Sequence, residues 1–250
     1  MPFHGPSMTE ATGARLGPLS TEARSGCTLP VARPGGNMRI TLLYDNDVFK
    51  EGLVADWGFS CLVEIEKAPR ILFDTGADGS ILLSNMEKLD IDPASIDVVM
   101  ISHPHHDHVG GLWAFCRVNK EAKVYVPPSL RGLHGIDQVI PVTGPSQILE
   151  GVFSTGELAG IEQSMAVKTD KGVVLIVGCS HPGMASILKA ASGFGRVYAV
   201  VGGLHGFREY ALFEGLELIC PTHCTQHKSE IKALYPEQCI DGGVGQVIVL

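Results

Sequence analysis

Residues Ile101 to Leu112 read I-S-H-P-H-H-D-H-V-G-G-L. Within six positions they place His103, His105, His106, Asp107 and His108, directly after the run Asp97-Val-Val-Met-Ile-Ser102. Imidazole and carboxylate are the side chains that hold zinc, manganese or iron. An extended backbone puts positions i and i+2 on one side, so His103 and His105 can converge on one ion from a strand end. Once the chain turns into a helix, Asp107 and His108 face a second position a few Å away. Gly110-Gly111 allows a tight turn and a close backbone approach to the metals. His106 lies between these residues and is expected to point elsewhere. A polar loop that merely contains histidines is the bland alternative, and this density of ligand types at a strand-to-helix junction argues against it.

Three further histidines follow strand-like runs. Gly172-Val-Val-Leu-Ile-Val177 reads as a fully buried strand, and it ends in Gly178-Cys-Ser-His181-Pro-Gly183. Arg196-Val-Tyr-Ala-Val-Val201 leads to Gly202-Gly-Leu-His205-Gly206, and Leu216-Glu-Leu-Ile219 leads to Cys220-Pro-Thr-His223-Cys-Thr225. Histidines at several separate strand ends are what a composite site at one sheet edge requires. His205 can be a ligand, a substrate-facing general acid or a structural residue, and a pocket-facing role is favoured.

Upstream, Arg39–Tyr44 reads as the first strand. Phe59–Ile65 and Arg70–Phe73, joined by a Lys-Ala-Pro turn, read as a hairpin that ends in Asp74-Thr-Gly76. Ser80–Leu89 has helical periodicity. Gly111–Asn119 is expected to be helix and Lys123–Val126 strand. Residues 129–146 resist assignment; Arg131 and His134 there are possible substrate contacts in what reads as a solvated loop. Strands are expected at Gln147–Phe153, Gln163–Lys168, Gln238–Asp241 and Gln246–Leu250, with helices at Met184–Ala191 and Lys228–Leu234. The halves 38–125 and 145–250 each alternate strands and helices, which points to an α/β sandwich.

Residues 1–37 carry many Gly and Pro and few aliphatics, so they bury too little to offset their ordering entropy. They read as a flexible extension ahead of one domain at 38–250, and Met38 is a plausible true start. The length of 250 residues suits a large core, and no apolar run is long enough for a membrane span. A net charge of −8 argues against a broad nucleic-acid surface. Seven cysteines without a disulfide-like spacing fit a metal-binding cytoplasmic protein. The partner expected is a small-molecule substrate; the sequence says nothing of oligomeric state.

The pattern H-x-H-x-D-H, here His103, His105, Asp107 and His108, resembles the signature of the metallo-β-lactamase superfamily. Gly-Cys-Ser-His-Pro-Gly, Gly-Gly-Leu-His and Pro-Thr-His-Cys-Thr further resemble its branch named for 7,8-dihydropterin-6-yl-methyl-4-(β-D-ribofuranosyl)aminobenzene-5′-phosphate synthase, over about residues 38–250. The resemblance implies a four-layer αβ/βα sandwich with the site on one edge of two sheets. It implies two divalent ions, zinc first and manganese or iron(II) as alternatives, although one-metal members exist. His103, His105 and His181 would hold one ion; Asp107, His108 and His223 the other. Asp74 would sit beneath them and orient ligands, while Asp107 and His205 would take part in catalysis. Many members place a bridging Asp at a core strand tip. Cys179 either takes such a place as a thiolate in or beside the metal site, or packs into the core, as free Cys often does.

The implied activity is metal-dependent hydrolysis of a phosphoester, lactone or other acyl compound, with a pterin-linked phosphate as the specific expectation. A phosphodiesterase or nuclease of the same superfamily would need a basic groove, and no Lys/Arg cluster supplies one. A thiol or metal-relay protein using Cys179, Cys220 and Cys224 has only the Cys220–Cys224 spacing behind it. A ligand-binding protein without activity would not need the full ligand set.

Overall fold

The computed structural model describes Pro2 and residues 37–250; the extension expected over residues 1–37 otherwise lies outside the described residues. Among the described residues, thirteen strands form two sheets. The first runs β13(Val247–Val249)-β1(Met38–Tyr44)-β2(Ser60–Ile65)-β3(Ile71–Phe73)-β4(Val98–Met100)-β5(Lys123–Val126)-β6(Val139–Pro141). The second runs β12(Leu218–Thr222)-β11(Val197–Gly203)-β10(Gly172–Val177)-β9(Met165–Thr169)-β8(Val152–Ser154)-β7(Ser146–Leu149).

Facing side chains of the two sheets form one apolar layer, with Ile40, Phe59, Phe73 and Met100 on one side and Met165, Val174, Ile176 and Val201 on the other. The outer face of the first sheet is covered by α1(Gly79–Lys88) and α3(Leu112–Val118), through Leu82, Met86, Leu112 and Phe115. The outer face of the second is covered by α4(Met184–Ser192) and α5(Lys228–Leu234), through Met184, Ile187 and Ile231. The result is the αβ/βα layering expected from the sequence. Runs such as Val173–Val177 lack polar alternation because both faces of their sheet are covered.

Chain direction sets the position of the site. β3, β4, β5 and β6 pair in parallel, and so do β10, β11 and β12. Parallel neighbours bring their carboxyl ends to one edge, where the connecting loops collect. Asp74, His103, Cys179, His205 and His223 all follow those ends in sequence.

Two strand expectations need correction. Gln147–Phe153 is two antiparallel strands, β7 and β8, because Gly151 turns the chain at φ 74. Gln238–Asp241 is no strand; Cys239 makes a single bridge to Ile219. The unassigned stretch supplies β6 as an edge strand. Gly110-Gly111 also meets a steric limit from the loop beneath it. A Cβ on either would strike the carbonyl oxygen of Ala77 or Thr75, so the pair lets α2(His106–Val109) pack onto the β3–α1 loop. Among the described residues, no helix is long and apolar enough to cross a membrane.

Candidate metal centre

The sheet edge gathers the histidines into two adjoining groups of donors. The ligand atoms of His103, His105 and His181 all lie within 4.8 Å of one another, as do those of Asp107, His108 and His223. The rings of His103 and His108, one from each group, have centroids 4.1 Å apart. His106 is exposed and belongs to neither group. Arg131 and His134 are also exposed, on the loop before β6.

Backbone geometry aims these side chains. Asp74, Ser180, His205 and His223 follow the ends of β3, β10, β11 and β12, and all four have left-handed φ, 56, 59, 46 and 47. Non-glycine residues hold that conformation at a cost on the order of 1 kcal/mol or more, and such strain collects at functional sites. Four examples along one edge mark this edge as the place where side-chain direction outweighs backbone comfort. The helix α2 is pinned there as well: Phe59 N–H donates to Asp107 O at 3.1 Å, and Thr75 N–H to His108 O at 2.8 Å.

Hydrogen bonds beneath the site decide which nitrogen of each imidazole is free. Asp74 is fully buried and accepts from Ser102 N–H and Ser102 Oγ–H, both at 2.7 Å, and from His108 Nδ1 at 2.7 Å. The Ser102 hydroxyl spends its hydrogen on Asp74, so at 2.8 Å it accepts from His103 Nδ1–H. His103 and His108 therefore both carry their lone pair on Nε2. Burial pushes Asp74 up to about 8 against the two Ser102 donors; a cation held by His108 would favour the carboxylate. Burial also holds His103 and His108 below the ordinary imidazole range, which keeps them neutral and free to donate lone pairs.

Asn46 does the same for His223. Its Oδ1 accepts from Gly58 N–H at 3.2 Å and its Nδ2 donates to His223 O at 3.0 Å, which fixes the amide orientation. At 2.9 Å Oδ1 then accepts from His223 Nδ1–H, leaving the Nε2 lone pair directed at Asp107 Oδ2, 3.1 Å away. Two acceptors at that separation need a proton or a metal ion between them. Burial alone would raise Asp107, but with a proton in that gap the His223 hydrogen bond and the nearby imidazoles hold it well below the usual carboxylate range. His181 Nε2 is buried without a protein partner, an orphaned polar atom that a cation would satisfy. The donor set thus fits divalent ions at both groups.

Four contributors escape a local reading. Glu162, in the β8–β9 connection, is fully buried and accepts from the N–H groups of Cys179 and Ser180, each at 3.0 Å, and of His181 at 2.8 Å. It holds the turn that carries His181, and burial pushes it up to about 7. Asp45, at the end of β1, accepts from His223 N–H at 2.9 Å, beside Asn46. Trp57 donates Nε1–H to Asp107 Oδ2 at 3.0 Å and sets its ring edge-on to His223. No motif announces these residues; only Asp45-Asn46 gave a signal, as polar residues ending an apolar strand. His205 is exposed on the rim, its ring 5.3 Å from that of His181. Cys179 is buried at the site rather than in the inter-sheet core: its Sγ is 3.1 Å from His108 Nε2 and 3.2 Å from Cys224 Sγ.

The sequence model of the metallo-beta-lactamase superfamily matches residues 58–179, which take in His103, His105, Asp107, His108 and Cys179 and stop short of His181. The 7,8-dihydropterin-6-methyl-4-(beta-D-ribofuranosyl)-aminobenzene-5'-phosphate synthase of Methanocaldococcus jannaschii is 28% identical over 78% of this chain and 90% of its own length. Uncharacterized protein MJ0448 of the same organism is 27% identical over 84% of this chain and 99% of its own. Among solved structures, Tm1679, described as a metal-dependent hydrolase of the beta-lactamase superfamily, matches with a TM-score of 0.67. It is 27% identical, over 84% of this chain and 98% of Tm1679.

Proposed function

We propose that this chain, of the metallo-β-lactamase superfamily in sequence signature and fold, is a metal-dependent hydrolase acting on a small phosphoester, lactone or other acyl compound. The observation that carries the reading is the pair of adjoining donor groups with their lone pairs turned inward. His103, His105 and His181 would hold one divalent ion; Asp107, His108 and His223 would hold the other, with zinc the first choice and manganese or iron(II) next. Bound there, such ions would supply Lewis acidity and make water available as a nucleophile near neutral pH.

The remaining work falls to the chain. Asp74, through His108 directly and His103 by way of Ser102, fixes two imidazoles in the tautomer that presents Nε2. Asn46 does the same for His223 from the other sheet, and Asp45 holds the His223 backbone N–H. Asp107, kept ionised and steadied by Trp57, would orient a nucleophilic water. His205, exposed beside His181, would hand a proton to a leaving group. A substrate with a dihydropterin and a phosphate is favoured by the likeness to the Methanocaldococcus jannaschii synthase.

That likeness also supports a second reading, in which the same centre joins two substrates rather than splitting one. A panel of chromogenic phosphoesters and lactones, run with metal-loaded protein, tests hydrolysis. Incubation with a dihydropterin and a ribofuranosylaminobenzene phosphate, the two parts named in that synthase, tests joining. Turnover in the first with none in the second supports the hydrolase; coupled product without hydrolysis overturns it.

A further inference from the structure

Two thiols stand against the second donor group without a part in the ligand set above. Cys179 Sγ lies 3.1 Å from His108 Nε2, the nitrogen that Asp74 leaves free, and Cys224 Sγ lies 3.2 Å from Cys179 Sγ. The donor atoms of Cys179, His223 and Cys224 fall within 4.8 Å of one another, and so do those of Cys179 with His103 and His108. Cys179 therefore belongs to groups that reach both sides of the centre. The neighbouring strand β11 supplies no competing side chain, because it ends in Gly202-Gly203. A Cβ at Gly203 would come within 2.8 Å of Cys224 Sγ and collide with Gly178 O, so a carboxylate there would displace the sulfurs. The bare strand end and the thiol pair are two sides of one arrangement.

We propose that Cys179 is a sulfur ligand of the second metal position, completing Asp107, His108 and His223, and that Cys224 orients it by a thiol hydrogen bond. This rests on the two-position reading above. On coordination the Cys179 S–H bond breaks, a sulfur–metal bond forms and the proton goes to solvent; nothing is oxidised or reduced. A donor set of two imidazoles, one carboxylate and one thiolate selects a borderline-soft ion, such as zinc, iron(II) or cobalt(II), over manganese or magnesium. The position beside it, with three imidazoles, carries no such preference for sulfur-loving ions. The two positions should accordingly differ in which metals they retain.

The test uses the full chain, stripped with chelator, kept reduced and titrated with cobalt(II) without air. Visible ligand-field bands report cobalt binding at either position, and sulfur-to-cobalt charge-transfer absorption in the near ultraviolet reports thiolate ligation. Charge transfer developing with one of two bound equivalents, and resisting excess manganese, is the expected result. Cys179→Ser should abolish that absorption, keep the ligand-field bands and weaken the ion by at least about 10-fold. Cys224→Ser should keep the absorption, as should Cys116→Ser on α3. Ligand-field bands without charge transfer in the unaltered chain would overturn the sulfur ligand while leaving two metal positions standing, and this outcome needs no variant to fold. Charge transfer that survives in Cys179→Ser, or vanishes in Cys224→Ser, would overturn the assignment to Cys179. No cobalt binding at all would remove the underlying reading.

Discussion

Glu162→Gln separates a structural contribution from a contribution to metal binding. The carboxylate accepts three backbone N–H groups, two on Oε1 and His181 N–H on Oε2. A glutamine has one carbonyl oxygen, so at least one of these donors must face an amide NH2. A buried donor without an acceptor costs about 1–3 kcal/mol. Against this stands the burial of the charge: a shift from 4.5 to about 7 corresponds to ~3 kcal/mol of lost stability with the group ionised above neutrality, which the neutral amide does not suffer. The two effects nearly cancel, leaving a change within about 2 kcal/mol, or some 4–8 °C in melting temperature for a chain of this size. The local effect does not cancel. With Cys179 and Ser180 keeping the oxygen, the orphaned donor is that of His181, and the turn that aims its ring loosens. Affinity at the His103–His105–His181 position should fall on the order of 10- to 100-fold. Differential scanning calorimetry of metal-free protein at pH 8 and chelator-competition titration read the two quantities separately. A variant that melts far lower yet binds metal as tightly as the parent would refute this account of Glu162, and so would one unchanged in both.

Other expectations follow from the same geometry. His103→Ala and His181→Ala should each release the ion of the first position and nearly all turnover, as measured by metal content and kcat on the best substrate found. Asp74→Asn should weaken metal binding about 10- to 100-fold, because the amide must turn its NH2 either on Ser102 N–H or on the Ser102 Oγ–H and His108 Nδ1–H pair; unaltered affinity would count against the tautomer argument. In the metal-free chain, His103, His108 and His181 are held below their ordinary value by burial, so their contribution to stability is present above about 6.5 and lost as pH falls. Asp74 and Glu162 are raised, so theirs is present below about 4 and lost as pH rises toward 8 and 7. The two sets oppose each other between about 4.5 and 6.5, so the metal-free melting temperature should change little there. The metal-loaded chain should lose its added stability over the same interval as ligands take up protons; parallel slopes for the two forms would contradict this.

How far the sequence discloses the molecule depends on whether a feature is local. Val173–Val177 and Lys228–Leu234 were legible because a doubly covered strand and an amphipathic helix each impose their pattern on neighbouring residues. Gln147–Phe153 misled because a two-residue turn hides inside an apolar stretch, betrayed only by Gly151. The histidines of residues 103–108 stand close enough together to declare a metal site by density alone. Glu162 could not be found that way: it meets His181 across 19 positions through backbone N–H groups that leave no trace in residue type. Asn46 meets His223 across 177 positions, where the two sheets close on each other. Cys179 lay between these cases. Alternation along β10 put it on the side of His181 if the strand stayed extended, and Ser180 instead turns left-handed, yet the thiol still reaches His108.

Metal stoichiometry bears most directly on the claim that this sheet edge is a two-metal hydrolytic centre. Protein purified without chelator, quantified by amino-acid analysis and measured by inductively coupled plasma mass spectrometry, should carry more than one equivalent of transition metal per chain, and approach two after incubation with zinc. At most one equivalent, unchanged by excess zinc or manganese, would contradict it.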